Sequence, residues 1–268
     1  MTKILVIGAA GRMGRTLVSC IEDTPGAELS GGTENPGNPS IGSDVGELAG
    51  VGKKNILVGD CLDEAVKSCD VIIDFTSPES SMQTLEAAVK AIRPIVIGTT
   101  GFSASQKQAI EKASKRNRCV MAPNMSIGVN VLFKVVRDVA KALGDDYDVE
   151  IVEAHHKFKK DAPSGTAVRI SEIVAEALHR NIDEVGVYGR KGITERTPKE
   201  IGIHTLRAGD IVGEHRVLFG GMGENLEIFH RAQSRETFAR GAIRAAQWLV
   251  NQPVGLYDMQ DVLGFRKK

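Results

Sequence analysis

The sequence is poor in the features that mark nucleic-acid-binding and membrane proteins. Aromatic residues make up only 4% of the chain, too few to suggest the stacking surfaces of single-strand-binding proteins. The 34 basic residues are balanced by 34 acidic ones, so net charge does not favour a polyanion or an anionic membrane surface. No stretch approaches the roughly 18 uninterrupted apolar residues that a membrane span needs. We therefore expect neither nucleic acid nor a membrane among its partners.

Cysteine is also sparse, and its spacing is uninformative. Cys20, Cys61, Cys69 and Cys119 include no CxxC pair. Scattered thiols fit a reducing cytosol better than a disulfide framework or a zinc site. A strand pattern begins within about three residues of the N-terminus, which leaves no room for a signal peptide. We expect a cytoplasmic protein without a structural metal.

The segment Lys3–Gly14, KILVIGAAGRMG, is the pattern around which the chain is organised. An apolar run bounded by glycine predicts a buried parallel strand, and Leu17, Val18 and Ile21 share one face of a following helix. Glycines in such a strand-to-helix turn let a pyrophosphate approach the N–H groups at the helix N-terminus. The spacing is GxxGxxG rather than GxGxxG, and a tight turn without a ligand is the alternative. The strand–turn–helix context favours a dinucleotide site.

Glu34 follows Gly14 by about 20 residues, at the end of a second predicted strand, where an acidic side chain binds the ribose hydroxyls of the adenosine. An ordinary loop glutamate is the alternative interpretation. Asn35 comes next, and the first basic residue after it is Lys53, although Arg12 in the glycine turn could supply a cation. A 2′-phosphate site usually has a cation at this point. We therefore expect NADH to be accepted at least as well as NADPH.

Strands and helices alternate through the first half of the chain, which predicts a Rossmann-type, mostly parallel sheet. Ser77 followed by Pro78, and a capping box over 103–106, predict the starts of two of these helices. Ligands bind beyond the carboxyl ends of the strands in such sheets, so two further strand-end loops join the glycine turn as candidates. Singly, each of these loops is more often only a turn. The predicted cofactor-binding residues are Gly8, Ala9, Ala10, Gly11, Arg12, Met13, Glu34, Gly98, Thr99, Thr100, Ala122, Pro123, Asn124 and Met125.

The pattern changes after Ser126. A helix with Val131, Leu132, Val135, Val139 and Leu143 inward leads to an α+β domain. Its strands, over 149–156, 201–207, 211–219 and 225–230, predict a mixed, largely antiparallel sheet, and short links such as 208–210 predict that the last three pair as hairpins. The uncovered face of this sheet, expected to carry Ile, Val, Leu and Phe, would pack on another subunit. A C-terminal helix is expected to return to the first sheet, because a parallel sheet needs both faces covered. The predicted domains are 1–126 with 236–268 for the dinucleotide and 127–235 for the substrate.

The segment Glu153–Thr166, EAHHKFKKDAPSGT, has the residues for acid–base chemistry. A histidine titrates near neutrality and can pass a proton. The predicted helix start at Ser164 and the nearby lysines can bind a carboxylate. Together they predict a pocket for a small anion that is protonated during the reaction. Surface imidazoles and a solvated lysine face are the alternatives, and a metal site lacks a third ligand at a metal-like spacing.

The chain resembles the 4-hydroxy-tetrahydrodipicolinate reductases, formerly called dihydrodipicolinate reductases, of the diaminopimelate pathway of lysine biosynthesis. The resemblance covers nearly the whole chain. It rests on GAAGRMG (8–14), DFTSPE (74–79), VIGTTGF (96–102), APNMSIGVN (122–130), EAHHKFKKDAPSGTA (153–167) and RAGDIVGEH (207–215).

The resemblance implies NAD(P)H-dependent reduction of 4-hydroxy-tetrahydrodipicolinate to tetrahydrodipicolinate, with hydride transfer to C4. It implies that His155 and Lys159 act as proton donors and that His156, Gly165 and Thr166 bind the substrate dicarboxylate. It also implies a Rossmann-type domain and an α+β domain whose sheet builds a homotetramer. Asn35 stands where well-known members carry an arginine, which argues against a strong NADPH preference.

Two other functions are compatible with parts of the pattern. A dehydrogenase acting on an amino acid such as homoserine or aspartate also places a Rossmann domain before an α+β domain, but does not require the HHxxxK segment. A regulatory protein that binds NAD(H) without turnover would be expected to carry a DNA- or partner-binding module, and no such pattern is evident. Cofactor oxidation with each substrate distinguishes these functions.

Overall fold

The computed structural model describes residues 1–266. Contacts divide the chain into two compact units, one formed by Met1–Ile127 with the chain from Arg235 onward and the other by Gly128–Ser234. The strands are β1 (Thr2–Ile7), β2 (Ala27–Thr33), β3 (Val58–Gly59), β4 (Val71–Asp74), β5 (Ile95–Ile97), β6 (Arg118–Met121), β7 (Asp148–His155), β8 (Gly186–Tyr188), β9 (Ile201–Arg207), β10 (Gly213–Gly220), β11 (Asn225–Ala232) and β12 (Gly255–Tyr257). The α-helices are α1 (Arg12–Glu22), α2 (Val45–Ala49), α3 (Leu62–Ala65), α4 (Pro78–Lys90), α5 (Ala104–Ser114), α6 (Ile127–Leu143), α7 (Gly165–Ala177), α8 (Ile182–Val185), α9 (Glu236–Leu249) and α10 (Met259–Val262).

The first unit is a parallel sheet covered on both faces, which confirms the predicted Rossmann-type architecture. The strand order is β12-β6-β5-β4-β1-β2-β3, and every neighbouring pair is parallel. Alternate residues of β1 belong to different cores: Ile4 packs with α1 and α9, whereas Leu5 packs with α4 and α5. The chain order reverses between β1 and β4, and ligands of open α/β sheets bind at such a switch point.

Local signals set several helix starts of this unit. Ser77 caps α4, with Pro78 as its first residue, and Ser103 and Gln106 form the predicted capping box of α5. Residues 34–52, whose glycine, proline and asparagine content predicts a surface loop, include the short helix α2. The buried Asp44 carboxylate accepts hydrogen bonds from the Gly46, Glu47 and Lys54 amides, and these contacts order the segment.

The second unit contains a five-stranded mixed sheet with the order β11-β10-β7-β9-β8. The sheet is mixed, as predicted: β10 is antiparallel to β7 and β11, whereas the β7–β9 and β9–β8 pairs are parallel. β9 and β10, adjacent in sequence, do not pair, because β7 lies between them. Hydrogen bonds from the Lys157 amide to the Gly209 carbonyl and from the Ala208 amide to the His155 carbonyl hold the connecting segment across the end of β7.

Helices α6 and α7 pack on one face of this sheet. The predicted inner face of α6 is wrong in part, because Val131 and Val135 are 39% and 38% exposed. The buried stripe is instead Val129, Leu132, Phe133, Val136 and Ala140. Helix α6 has apolar residues on more than one of its faces, so its sequence alone allows two orientations about the helix axis. Packing on the sheet selects one of them.

The other sheet face is more mixed than predicted. Its apolar residues include Val152, Leu206, Leu218 and Phe229, and its charged residues are Glu150, Glu214, Arg216, Glu227 and Arg231. The Arg231 Nε atom lies 2.7 Å from the Glu214 Oε1 atom, and the Arg216 and Arg231 guanidinium groups stack over the Phe229 ring. Cation–π and ion-pair contacts therefore lie beside the expected apolar residues on this face.

No helix within 1–266 is long and apolar enough to cross a membrane. Over the same range, no three His, Cys, Asp or Glu side chains are grouped so that they could hold a metal ion. The four cysteines are free, and burial raises the pKa of Cys69 to about 11 and that of Cys119 to about 12.

Candidate active site

The glycine turn between β1 and α1 is packed too tightly for side chains at two positions. Gly8 has φ +69°, and a Cβ atom there would lie 2.8 Å from the Thr76 Cγ2 atom. A Cβ atom on Gly14 would lie 2.1 Å from the Gly8 carbonyl oxygen, so α1 lies directly against the end of β1. Gly11 is the N-cap of α1 and provides no side-chain cap. The first turn of α1 therefore keeps N–H groups that can bind an anion.

Glu34 contacts this turn directly. The Ala10 amide donates to the Glu34 Oε1 atom at 2.9 Å, and the Asn38 side chain donates to Oε2 at 3.1 Å. Each carboxylate oxygen has a second lone pair for another donor, such as a ribose hydroxyl. The structure thus brings together two sequence elements that were predicted to bind one ligand.

An open cavity of about 180 Å³ lies beside the turn, at the switch point between β1 and β4. Gly8, Glu34, Asn35, Asp60 and Thr76 are among the residues that line it. The described lining residues include two carboxylates and no basic side chain. This lining suits a hydroxyl-rich group better than an additional phosphate.

The other two predicted cofactor loops lie at the same edge of the sheet, because β5 and β6 are parallel to β1. A Cβ atom on Gly98 would lie 2.3 Å from the Phe75 ring, so that position is also restricted to glycine by packing. Thr99 is buried and accepts a hydrogen bond from Ser81 at 2.8 Å, whereas Thr100 is exposed. In the second loop Ala122 and Met125 are buried, Pro123 is exposed, and the Asn124 side chain accepts a hydrogen bond from the Ser126 amide.

The predicted catalytic and substrate-binding residues all lie in the second unit, around the end of β7. His155 is its last residue, and only 9% of its surface is exposed. Its Nδ1 atom lies 2.5 Å from the Oε2 atom of Glu153, which is completely buried. Glu153 also accepts hydrogen bonds from the Ser164 amide at 3.0 Å and from both terminal nitrogens of Arg207, at 2.8 and 2.9 Å. A fully buried carboxylate is tolerated because it is paired and hydrogen-bonded.

These contacts set the protonation of the pair. Burial opposes ionisation of Glu153, but the hydrogen bonds from Arg207 and His155 outweigh it and lower its pKa to about 2. Burial lowers the pKa of His155 below its ordinary 6.5, although Glu153 partly opposes this shift. The neighbouring His215, whose ring centre lies 5.3 Å away, is buried deeply enough that its pKa falls to about 3. At neutral pH, Glu153 is therefore ionised and both imidazoles are neutral.

Lys159 lies in the loop between β7 and α7. Its Nζ atom pairs with Asp161 Oδ2 at 2.9 Å, and its amide donates to the His156 carbonyl. The His156 ring lies 6.3 Å from the ring of Phe158, which is 75% exposed. The Nδ1 atom of His156 is buried and has no partner within the described chain.

Gly165 and Thr166 form the first turn of α7, after the N-cap Ser164. The Ser164 hydroxyl accepts from the Ala167 amide at 3.2 Å and lies 3.1 Å from His215 Nε2. A Cβ atom on Gly165 would meet nothing within 4 Å, and this glycine does not have a positive φ. Neither the backbone conformation nor the described protein packing thus explains a glycine here. Close approach of a ligand to the exposed helix start would explain it.

Three residues of this site, Glu153, Arg207 and His215, were not among the predicted site residues. A signal for Glu153 was present: residues 149, 151, 153 and 155 alternate onto the covered face of β7, and an acid in that series needs a buried partner. Arg207 and Thr205 reach Glu153 only because β9 pairs with β7, and this long-range register is not encoded locally.

Comparisons with known proteins agree with the architecture of both units. The family model described as "Dihydrodipicolinate reductase, N-terminus" matches residues 2–125, and "Dihydrodipicolinate reductase, C-terminus" matches residues 128–263. The chain is 57% identical over 267 residues to the 4-hydroxy-tetrahydrodipicolinate reductase of Syntrophus aciditrophicus, covering 99% of this chain and 100% of the relative. It is 54% identical, with the same coverage, to the reductase of that name from Geotalea daltonii.

A solved structure has the same overall fold. Dipicolinate-bound dihydrodipicolinate reductase from Paenisporosarcina sp. TG-14 matches with a TM-score of 0.76 and 24% identity, covering 97% of this chain and 98% of that one. The two family models together span nearly all of the chain, and the identity to the curated relatives extends over the same length. The chain therefore belongs to the dihydrodipicolinate reductase family, and it is an oxidoreductase.

Proposed function

We propose that this protein reduces 4-hydroxy-tetrahydrodipicolinate to tetrahydrodipicolinate with NADH or NADPH, as a step of lysine biosynthesis through the diaminopimelate pathway. Relatives carrying the reductase name at 54–57% identity over their full length support this proposal. The observation that carries it is the buried Glu153–His155 pair beside the open start of α7. This combination offers a proton-transfer group next to an anion-binding helix N-terminus.

The glycine turn and its neighbouring loops fit a dinucleotide. The unoccupied N–H groups of the first turn of α1 would bind the diphosphate, and Glu34 would bind the adenosine ribose. The remaining cofactor contacts are assigned to the loops 98–100 and 122–125. When bound, the reduced nicotinamide supplies the hydride that C4 of the substrate accepts.

The second unit would bind the dicarboxylate. Backbone amides at Gly165 and Thr166 would hold one carboxylate, and His156 would add a hydrogen bond through a ring nitrogen. The solved relative named above holds dipicolinate, a planar dicarboxylate of the same class. That ligand is consistent with a small dianion as the substrate of this chain.

Lys159 and His155 would handle the proton. Once the C4 hydroxyl has left as water, hydride addition to C4 of the resulting conjugated imine leaves an electron pair in the ring that a proton must neutralise. The Lys159 ammonium group is a donor, whereas His155, neutral in the free enzyme, is first an acceptor. A bound dianion would raise the pKa of His155 and convert it into a second donor.

A coupled assay tests the proposed function. The product of the preceding synthase is supplied, and cofactor absorbance is followed with NADH and NADPH in parallel. We expect steady oxidation of reduced cofactor with this substrate and none with homoserine or aspartate semialdehyde. Turnover confined to either amino-acid substrate would assign the chain to another dehydrogenase class, and binding of NADH without turnover would indicate a regulatory role.

Cofactor preference is expected to follow the charge around the adenosine ribose. The wild-type enzyme should have kcat/KM for NADH equal to or above that for NADPH, because Glu34 and Asp60 face the cavity and Asn35 supplies no charge. Asn35→Arg should raise kcat/KM for NADPH about 10-fold, the effect of roughly 1.4 kcal/mol from one charge-assisted contact. Asn251→Arg, the same substitution at an exposed position that does not line this cavity, is the control. An unchanged NADPH-to-NADH ratio in Asn35→Arg would contradict the assignment.

Gly165→Ala separates ligand binding from folding. The added methyl group meets no described atom, and alanine is a better helix former than glycine, so Tm should stay the same or rise slightly. The same methyl group would crowd a carboxylate held at the helix start, and KM for the substrate should rise about 10-fold or more. Thermal unfolding and steady-state kinetics measure the two effects. A normal KM would remove Gly165 from the substrate site.

The remaining expectations are also proposals. We assign dinucleotide binding to residues 1–126 with 236–268, and substrate binding and tetramer assembly to residues 127–235, in a cytoplasmic protein. The exposed Phe229, flanked by Arg216 and Arg231 on the open sheet face, would lie at a contact between copies. Sedimentation velocity should show a species of four chains, and a monomer at micromolar concentration would contradict it.

A further inference from the structure

Arg207 contacts the hydrogen-bond partners of both proposed proton-transfer groups, His155 and Lys159. Its two terminal nitrogens hold the Glu153 carboxylate, which in turn holds His155. The Nη2 atom also donates to the main-chain carbonyl of Asp161 at 2.7 Å, and the side chain of Asp161 is the partner of Lys159. One guanidinium group at the end of β9 therefore ties the imidazole on β7 to the loop that carries the ammonium group.

The Glu153 carboxylate decides which ring nitrogen of His155 carries the hydrogen. An ionised carboxylate only accepts hydrogen bonds, so the Nδ1 atom beside it must be protonated. In the neutral ring, Nε2 is then the free acceptor. That atom lies over Gly213, where a Cβ atom would come within 3.1 Å of it.

Two further hydrogen bonds hold the Glu153 carboxylate. The Ser164 amide binds the Oε1 atom of Glu153 from the start of α7, and the Thr205 hydroxyl binds the same atom from β9 at 3.3 Å. The titratable or charged groups that face the His155 ring are Glu153, Lys159, Arg207 and His215. Only Glu153 among these four is an acceptor in direct contact with Nδ1.

We propose that Glu153 and Arg207 are positioning residues for the reaction. Glu153 holds His155 as the Nδ1–H tautomer, with Nε2 available to substrate. Arg207 fixes the position of this imidazole relative to the loop that carries Lys159. The inference rests on the proposed function for its catalytic meaning. Its structural content, the tautomer of His155, is measurable without any turnover.

Glu153→Gln should invert this tautomer. The Oε1 side of residue 153 faces three donors, from Ser164, Thr205 and Arg207, whereas the Oε2 side faces one fixed donor, the Nη1 atom of Arg207, so the amide oxygen of glutamine takes the Oε1 side. The amide NH₂ then faces His155, whose Nδ1 atom has to accept and whose hydrogen moves to Nε2. Loss of the carboxylate, which raises the pKa of His155 in the wild type, should also lower that pKa further.

The experiment is ¹⁵N NMR of the full-length protein labelled at its six histidines, with the His155 signals identified by their absence in His155→Gln. Wild-type protein is expected to show His155 as the Nδ1–H tautomer, and Glu153→Gln as the Nε2–H tautomer with its titration at lower pH. Thr205→Val, which removes the longest contact to the same carboxylate, is the matched control and should keep the wild-type tautomer. An Nε2–H tautomer in the wild type overturns the inference even if Glu153→Gln does not fold.

Kinetics test the catalytic meaning. Glu153→Gln should lower kcat about 10–100-fold, as expected for a group that orients an imidazole, with KM changed much less. Arg207→Lys keeps the positive charge but loses the two parallel N–H donors of the guanidinium group. It should lower kcat while His155 stays in the Nδ1–H form. Wild-type kcat in both variants overturns the positioning role while leaving the reductase function intact. Failure of the proposed function has a different signature, namely no cofactor oxidation by the wild type.

Discussion

His155→Gln and Lys159→Ala should each lower kcat by about 10²–10⁴-fold, the range expected when a positioned proton-transfer group is lost. Glutamine can still donate a hydrogen bond to Glu153, so the buried carboxylate keeps a partner and the fold is expected to survive. Alanine at 159 releases only Asp161, whose side chain is 61% exposed. Loss of activity in either variant would then report on chemistry rather than on unfolding.

Matched controls exist in the same unit. Lys160→Ala removes the same charge one residue away, and His204→Gln makes the same substitution on the opposite face of the sheet, where the His204 ring contacts Glu150. Both controls should keep kcat within about threefold of wild type, a change of less than 1 kcal/mol in the barrier. Normal kcat in both His155→Gln and Lys159→Ala would refute the assignment of the proton-transfer groups.

The pH profile gives a second measure of the same prediction. Because the pKa of His155 lies below 6.5 in the free protein, the imidazole is neutral above that pH and gains a proton below it. Since the neutral imidazole is the proton acceptor, kcat/KM of the wild type should fall with a slope near one as the pH is lowered through this pKa, which lies below 6.5. His155→Gln should lack this acidic limb, whereas His204→Gln should retain it.

Gly14→Ala should lower both stability and cofactor affinity. The added Cβ atom would lie 2.1 Å from the Gly8 carbonyl oxygen and 2.6 Å from the Ala9 Cα atom. These are backbone atoms that cannot rotate away, so α1 must move from β1. Overpacking of this kind costs about 1–3 kcal/mol or more, which corresponds to a fall in Tm of about 2–12 °C.

The same movement would displace the N–H groups at the start of α1 and the contact between the Ala10 amide and Glu34, so Kd for NADH should rise more than 10-fold. Gly11→Ala is the control, because its Cβ atom would lie 3.1 Å from the Gly8 carbonyl and its φ of −72° suits any residue. Its effect on Tm should be the smaller of the two. Thermal unfolding and a fluorescence titration with NADH measure these quantities, and wild-type values for Gly14→Ala would contradict the packing argument.

Several features followed from short stretches of sequence because their causes are local. The strand–glycine–helix pattern at Lys3–Gly14 predicted β1, the turn and α1, since apolar periodicity and glycine at the turn act within a dozen residues. The caps at Ser77 and Ser103 were predicted for the same reason. The family resemblance was confirmed by matches that span the chain.

Other features depended on which strands become neighbours. The sequence pattern predicted that β9 and β10 pair, but in the folded sheet β7 lies between them. The buried face of α6 was predicted incorrectly in part for a similar reason. An amphipathic pattern states that a face is apolar and does not say which surface will cover it. Pairing between distant segments is chosen by the total burial of the unit, a quantity that no window of sequence contains.

The amino-acid sequence by itself determined the alternation that builds the parallel sheet, the glycine turn and the presence of His155, Lys159 and Gly165 within one short segment. Only the tertiary structure decided that Glu153 is fully buried against Arg207 and that His155 shares its carboxylate. The physical reason is that Glu153 and Arg207 are 54 residues apart in the chain and meet across a β-sheet register set by long-range packing. The residue types were local information, whereas their protonation and orientation are properties of the assembled sheet.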